Sequence, residues 1–147
     1  MGDVARNIEV VERLERAYNE RDYDTVRACL APDFVAHTPG TEMVPPGVEG
    51  AIAADQGAWT FFSDKRSEIL EIFGDGDRTV SHVRMTGTND GGIAWAGVAA
   101  NGKPIDTDWI QISRHAEDGT IVETWAQMDI PKMLVQVGAM PAPEGMM

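Results

Sequence analysis

The side chains best suited to acid–base chemistry lie along one predicted strand, IVETWAQMD, at residues 121–129. Its residues alternate between two sets, which is the period-two pattern of a strand with two unlike faces. Trp125, Gln127 and Asp129 belong to the same set, so an aromatic wall, an amide and a carboxyl group would share one face. Apolar neighbours disfavour the charged form of a carboxyl group and raise its pKa, as general acid–base chemistry near neutral pH requires.

A structural role for Asp129 competes with the chemical one. The following residues, IPKMLVQVG, predict a short helix in which Pro131 occupies the first turn and Gly138 ends the helix. Asp129 then stands at the N-cap position, where its side chain would accept backbone hydrogen bonds. Position alone favours the cap over the acid–base role.

Three further helices are predicted upstream. The first, residues 4–21, places apolar residues at helical spacing as far as Tyr18, and its charged residues, Glu15 among them, cover the remaining surface. The second spans residues 23–30, and the third begins at Val48. On the third helix Asp55 falls on the apolar stripe, and the sequence favours a side chain that leans towards solvent over one that is buried.

The long loop at residues 38–47 contains three prolines and two glycines. Loops of this length in a compact domain often cover a binding site. The loop at residues 38–47 is therefore a candidate cover for a site.

Strand signals dominate the second half of the chain. The separators GDGD, NDGG, ANGK and AEDG carry turn residues at hairpin spacing. Helices followed by a strand meander predict an α+β fold, with a curved, mostly antiparallel sheet that forms a cone under the N-terminal helices. The predicted strands are residues 34–37, 67–73, 79–88, 93–98, 105–115 and 120–128.

Composition sets the class of protein. The 147 residues fit a single domain, residues 1–147, with residues 141–147 predicted to be a disordered tail. The net charge of -12 argues against nucleic acid or an anionic membrane surface as a partner. Cys29 is the only cysteine, in an apolar setting that suits a core residue. No apolar run approaches a membrane span, so we expect a cytoplasmic protein.

A set of short motifs is spread over nearly the whole chain. In order, they are YNERDYD, DFVAHTPG, GVEG, FSD, GDRTVSHVRMTGTNDG, NGKPI, EDGTIVETWAQMD and MLVQVG. Taken together in this order, they resemble the motifs of the SnoaL-like polyketide cyclases (ester cyclases), which have a nuclear-transport-factor-2-like (NTF2-like), cystatin-like fold.

The resemblance implies a cofactor-free intramolecular aldol ring closure on a polyketide methyl ester, without a metal. The family's proton-transferring Asp lies in a W-x-x-x-D stretch, which here ends at Asp129, and this shifts the balance towards a pocket carboxylate. His37 matches the family's histidine in an H-x-P stretch and would polarise a carbonyl or orient the acid. A histidine that merely ties down the loop is an equal alternative. The resemblance also implies a homo-oligomer, a dimer or tetramer.

Weaker predictions concern pocket walls and hydrogen-bond donors. Trp109 and Gln111 share one strand face, and His82 and Arg84 share another; either pair could face a developing enolate oxygen. Tyr18 matches a large cavity-facing residue of the family.

Plain packing is favoured for Trp59, Trp95 and Trp109, although Trp95 or Trp109 on an outer face would fit a subunit interface. His115, next to a turn, is predicted to be solvated.

Three functions therefore compete. The first is a cofactor-independent cyclase that acts on an apolar, carbonyl-bearing molecule, with Asp129 and His37 as catalytic residues and Asp55 among the residues near the substrate. The second is epoxide hydrolysis, in which Asp55 or Asp108 would join Asp129 to activate water. The third is a non-catalytic module that binds a small ligand or pairs subunits.

Overall fold

The computed structural model describes residues 3–144. It contains four helices, α1 to α4, and five strands, β1 to β5. The helices are α1 (Val4–Glu20), α2 (Tyr23–Cys29), α3 (Gly47–Phe61) and α4 (Ile130–Gln136), and the strands are β1 (Leu30–His37), β2 (Arg66–Asp75), β3 (Arg78–Thr88), β4 (Pro104–His115) and β5 (Ile121–Met128).

Short polar residues begin the two N-terminal helices. The Asp3 side chain accepts a hydrogen bond from the backbone N–H of Arg6, and the Asp22 side chain accepts one from Thr25. Each bond satisfies an N–H group that has no partner inside its own helix. The predicted helix at residues 23–30 ends one residue earlier, because the chain passes directly from Cys29 into β1.

The five strands form one sheet in the order β1-β5-β4-β3-β2. All neighbouring pairs are antiparallel except β1 and β5, which run parallel. The α+β class and the mostly antiparallel sheet predicted from the sequence are confirmed. The first strand is longer than predicted and starts at Leu30.

The predicted strand at residues 93–98 is wrong. Only one bridge, between Ile93 and Val98, forms there, around a short 3-10 helix. The fully buried Asn89 organises this loop instead: its side chain donates to Ala99 O and accepts from Gly92 N, each at 3.0 Å. Local hydrogen bonds of this kind compete with a strand ladder.

The helices cover one face of the sheet and enclose two apolar clusters. The larger cluster joins α1, α2 and α3 to the sheet and includes Cys29, whose predicted core position is confirmed. The second lies under α4, and Trp109 packs against it, as the packing alternative predicted. None of the helices between residues 3 and 144 is long and apolar enough to cross a membrane.

His115 is buried, which corrects the prediction that it is solvated. Its Nδ1 lies 2.8 Å from Gly119 O, and its Nε2 lies 2.9 Å from Thr79 Oγ1. Because a carbonyl only accepts, Nδ1 carries the proton and Nε2 accepts from the hydroxyl. Of the tail predicted to be disordered, residues 141–144 lack regular secondary structure, and the rest lies outside the described residues.

Candidate active site

A cavity of about 550 Å³ lies between the inner face of the sheet and the helices α1 and α3. Its size is typical of pockets for small organic molecules. Much of its wall comes from the loop between β1 and α3, which was predicted to cover a site. The loop approaches α3 so closely at Gly50 that a Cβ there would lie 1.6 Å from Pro45 O.

Glu15 of α1 is one of the residues that line this cavity. Only 8% of the surface of Glu15 is exposed to solvent. Burial is the main cause that raises the pKa of Glu15 to about 7; the Lys65 ammonium opposes the rise, and the Asp55 carboxylate adds to it. A carboxyl group in this state can both accept and return a proton near neutral pH.

The prediction placed Glu15 on the solvent-facing surface of α1, and the structure corrects this. A signal was present in the sequence: Glu15 follows the core residue Val11 by four positions and precedes Tyr18 by three. Residues with these spacings share one face of a helix. The prediction gave more weight to the charge of Glu15 than to its position on the apolar face of the helix.

Other polar residues also line the cavity: Tyr18 from α1, Gln111 from β4, Thr124 from β5, and Thr38, Thr41 and Glu42 from the loop between β1 and α3. The placements predicted for Tyr18 and Gln111 are therefore observed. Burial is the largest cause that raises the pKa of the Tyr18 hydroxyl, and the negative charges of Asp55 and Glu15 add to it. The hydroxyl therefore stays protonated near neutral pH and remains a hydrogen-bond donor.

Asp55 lies close to this site but outside the set of residues that line the cavity. Its side chain is 10% exposed, which corrects the prediction that it leans towards solvent. Its Oδ1 lies 2.9 Å from the Lys65 ammonium, and its Oδ2 accepts hydrogen bonds from Tyr23 and Trp59. Asp55 is a buried, paired carboxylate rather than a lining residue.

The predicted grouping of Trp125, Gln127 and Asp129 in the cavity is also corrected. Thr124 is the β5 residue that reaches the cavity, so its neighbour Trp125 points to the opposite face of the sheet, as does Gln127. The period-two pattern was interpreted correctly, but the two faces were assigned the wrong way round.

Asp129 itself is exposed, at the end of β5. Its side chain accepts a hydrogen bond of 3.0 Å from the backbone N–H of Lys132 and thereby caps α4. The N-cap alternative therefore describes its observed position. The cavity lining does not include Asp129.

His37 and Arg84 also lie on the outer side of the sheet. The His37 ring stacks on Trp125 with 5.4 Å between centroids, and its Nε2 lies 2.7 Å from Glu123. Arg84 forms a bidentate ion pair with Asp106, in which Nε lies 2.9 Å from Oδ1 and Nη2 lies 2.6 Å from Oδ2. These contacts hold the side chains of His37 and Arg84 outside the cavity.

Within residues 3–144, the structure contains no group of three or more His, Cys, Asp or Glu side chains arranged to hold a metal ion. The cavity wall carries carboxyl, hydroxyl and amide groups of Glu15, Tyr18 and Gln111 in a largely apolar surface. These groups suit proton transfer and hydrogen bonding to an uncharged organic molecule.

A family model for SnoaL-like polyketide cyclases matches residues 8–137. The chain belongs to the SnoaL-like polyketide cyclase family. Among solved structures, this SnoaL-like chain resembles IdmH of Streptomyces antibioticus, provisionally named a polyketide cyclase. The two are 32% identical over 90% of this chain and 98% of IdmH, with a TM-score of 0.79.

Two further structures extend the comparison. TsrD of Streptomyces laurentii is 28% identical over 95% of the SnoaL-like chain and 100% of its own, with a TM-score of 0.82. AclR of Streptomyces galilaeus, provisionally named a hydroxylase, is 22% identical over 97% of this chain and 87% of its own, with a TM-score of 0.81, and shows the shared fold alone. A search of curated proteins found no match. The predicted NTF2-like α+β fold is confirmed.

Proposed function

We propose that this chain catalyses proton transfer at an activated carbon of an apolar carbonyl compound, as in a cyclase-type ring closure, with Glu15 as the general acid and base. The observation that carries the proposal is the buried Glu15 carboxyl group in the cavity wall, with a pKa of about 7. Membership of the family supports the cyclase class.

The groups of the cavity suggest the following sequence of steps. The Glu15 carboxylate takes a proton from a carbon next to a carbonyl group, and the electron pair of the broken C–H bond moves onto the carbonyl oxygen. The Tyr18 hydroxyl donates a hydrogen bond to that oxygen, whose charge increases in the transition state. The enolate carbon then attacks a second carbonyl of the same molecule, a C–C bond forms, and Glu15 returns the proton to the new alkoxide.

The experiment is deuterium exchange at the activated carbon of an aromatic β-keto methyl ester in D2O, followed by NMR. We expect the protein to accelerate exchange, and Glu15→Gln to reduce the acceleration by a factor of about 10² to 10⁴, which is the usual contribution of a general base. Asp129→Asn serves as the matched control and should leave exchange unchanged. Circular dichroism verifies that both variants fold.

The opposite pattern, with Asp129→Asn inactive and Glu15→Gln active, would refute the proposal and restore Asp129 as the acid–base group. Binding of the ester without accelerated exchange would favour a binding module. The epoxide hydrolase alternative predicts oxygen from labelled water in a diol product. Asp108, one of its candidate acids, pairs with His82 on the outer face instead.

The outer face of the sheet supports a second proposal, a homodimer. A row of side chains crosses every strand at one register: Phe73, Val80, Ile112, Trp125 and His37. Phe73 is 56% exposed and Ile112 is 39% exposed. Arg114 and Glu123 lie next to the row on the same face and carry opposite charges, so two copies of the face can complement one another.

Sedimentation analysis of Ile112→Arg tests the dimer. We expect the buried charge to convert a dimer into a monomer, because an unpaired charge in an apolar interface loses its hydration. Trp95→Arg is the control: Trp95 is also exposed, at 44%, but lies in the loop between β3 and β4. A wild-type monomer, or a dimer that survives Ile112→Arg, would contradict the proposal.

A further inference from the structure

An ion pair of two buried side chains lies beside the candidate active site. The Lys65 side chain is 4% exposed and that of Asp55 is 10% exposed, with Nζ and Oδ1 2.9 Å apart. The second Asp55 oxygen accepts hydrogen bonds of 2.9 Å from the Tyr23 hydroxyl and 3.0 Å from Trp59 Nε1. Both oxygens of the Asp55 carboxylate therefore have partners within the protein.

This pair joins three separate parts of the chain. Asp55 and Trp59 lie one turn apart on α3, Lys65 lies in the turn before β2, and Tyr23 begins α2. The Lys65 ammonium also lies 4.8 Å from the centre of the Trp59 ring. Burying two charges costs the free energy of their hydration, and buried ion pairs are often no more stabilising than apolar residues of similar volume. Stability alone therefore does not explain the pair.

Glu15 is the third buried charged group at this place. Lys65 acts to lower the pKa of Glu15, whereas Asp55 acts to raise it. Tyr18, on the same helix, and Tyr23, on α2, are further titratable groups close to Asp55, and the Arg21 guanidinium lies 3.9 Å from the centre of the Trp59 ring. The three charged groups together carry one negative charge when Glu15 is ionised and none when it is protonated.

We propose that Lys65, held in place by Asp55, is a positioning residue that controls when Glu15 carries its charge. Asp55 holds the Lys65 ammonium through the ion pair at Oδ1, and the hydrogen bonds from Tyr23 and Trp59 to Oδ2 fix the orientation of the Asp55 carboxylate. The catalytic part of this inference rests on the proposed function, because Glu15 must be the proton-transfer group for its charge to matter. The electrostatic part is independent of turnover and of any ligand.

The test follows the carboxyl carbon signal of Glu15 by NMR against pH, assigned with Glu15→Gln. Lys65→Met removes the positive charge, and we expect the Glu15 midpoint to rise by about one pH unit or more. Asp55→Asn removes the negative charge and keeps the shape, and the midpoint should fall. If a single variant does not fold, the double variant Lys65→Met/Asp55→Asn replaces it, with a midpoint between those expected for the two.

An exposed ion pair gives the matched control. Arg27 and Glu49 lie 2.9 Å apart at the surface, and Arg27→Met should leave the Glu15 midpoint unchanged. A Glu15 midpoint that is the same in wild type, Lys65→Met and Asp55→Asn overturns the inference. Shifts in opposite directions support it, as does a matching displacement of the pH profile of deuterium exchange.

The inference and the proposed function fail in different ways. If Glu15→Gln retains full exchange activity, the proposed function is overturned, and the NMR midpoints still decide the coupling of the three groups. If exchange depends on Glu15 but the midpoints do not move, the positioning role of Lys65 is overturned and the proposed function stands.

Discussion

Glu15→Gln should make the protein more stable at alkaline pH, although it removes the proposed catalytic group. The folded carboxyl has a pKa of about 7 against an ordinary value of 4.5. The Glu15 carboxyl therefore binds its proton more tightly in the folded state than in the unfolded state. Below pH 4.5 it is protonated in both states and has little effect on the free energy of unfolding. Between about pH 4.5 and pH 7 it loses its proton only in the unfolded state, and the free energy of unfolding decreases. A difference of about 2.5 in pKa corresponds to about 3 kcal/mol of unfolding free energy.

The assay is urea unfolding followed by the fluorescence of the four tryptophans. At pH 8 we expect the Gln variant to exceed the wild type by about 3 kcal/mol, because the amide carries no charge. At pH 5, which is above the isoelectric point of about 4.5, the difference should fall below about 1 kcal/mol. Comparing variant with wild type at each pH cancels the titration of the other acids.

Glu12→Gln is the control for this experiment, because Glu12 is an exposed acid on the same helix. It should change the unfolding free energy by less than about 0.5 kcal/mol at either pH. A Glu15→Gln variant whose advantage is the same at pH 5 and pH 8, or that is less stable at pH 8, would refute the assignment of Glu15 as a buried carboxyl with a raised pKa.

Two further predictions follow from close packing and from buried polar groups. Gly50→Ala should destabilise the protein by about 1–3 kcal/mol and displace the cavity loop, since its Cβ would lie 1.6 Å from Pro45 O; Gly57→Ala on the same helix meets nothing within 4 Å and should be neutral or stabilising in thermal unfolding. Burial lowers the pKa of His115, so the unfolded chain binds a proton more readily, and the contribution of His115 to the free energy of unfolding should decrease as the pH drops below about 6.5, opposite in sign to the contribution of Glu15. His115→Gln should remove this acid sensitivity in urea unfolding, and an unchanged pH dependence would contradict it.

Much of the fold could be predicted from local patterns. Helical spacing of apolar residues located α1 to within one residue, and turn residues separated the strands that became β2 to β5. The prediction failed at residues 93–98, where apolar residues indicate a strand but the buried Asn89 side chain binds the loop backbone. A single side chain there offers the backbone alternative partners that no periodicity reveals.

The sequence by itself determined the family, the α+β order of elements and the loop that lines the cavity, because these depend on spacing, turn chemistry and motif order. Only the tertiary structure decided which face of β5 looks inward, since alternation with period two is the same for either assignment. For the same reason Thr124 reaches the cavity, whereas Trp125 lies outside. The raised pKa of Glu15 likewise depends on burial and on charges distant in sequence, Lys65 and Asp55, which only folding brings close.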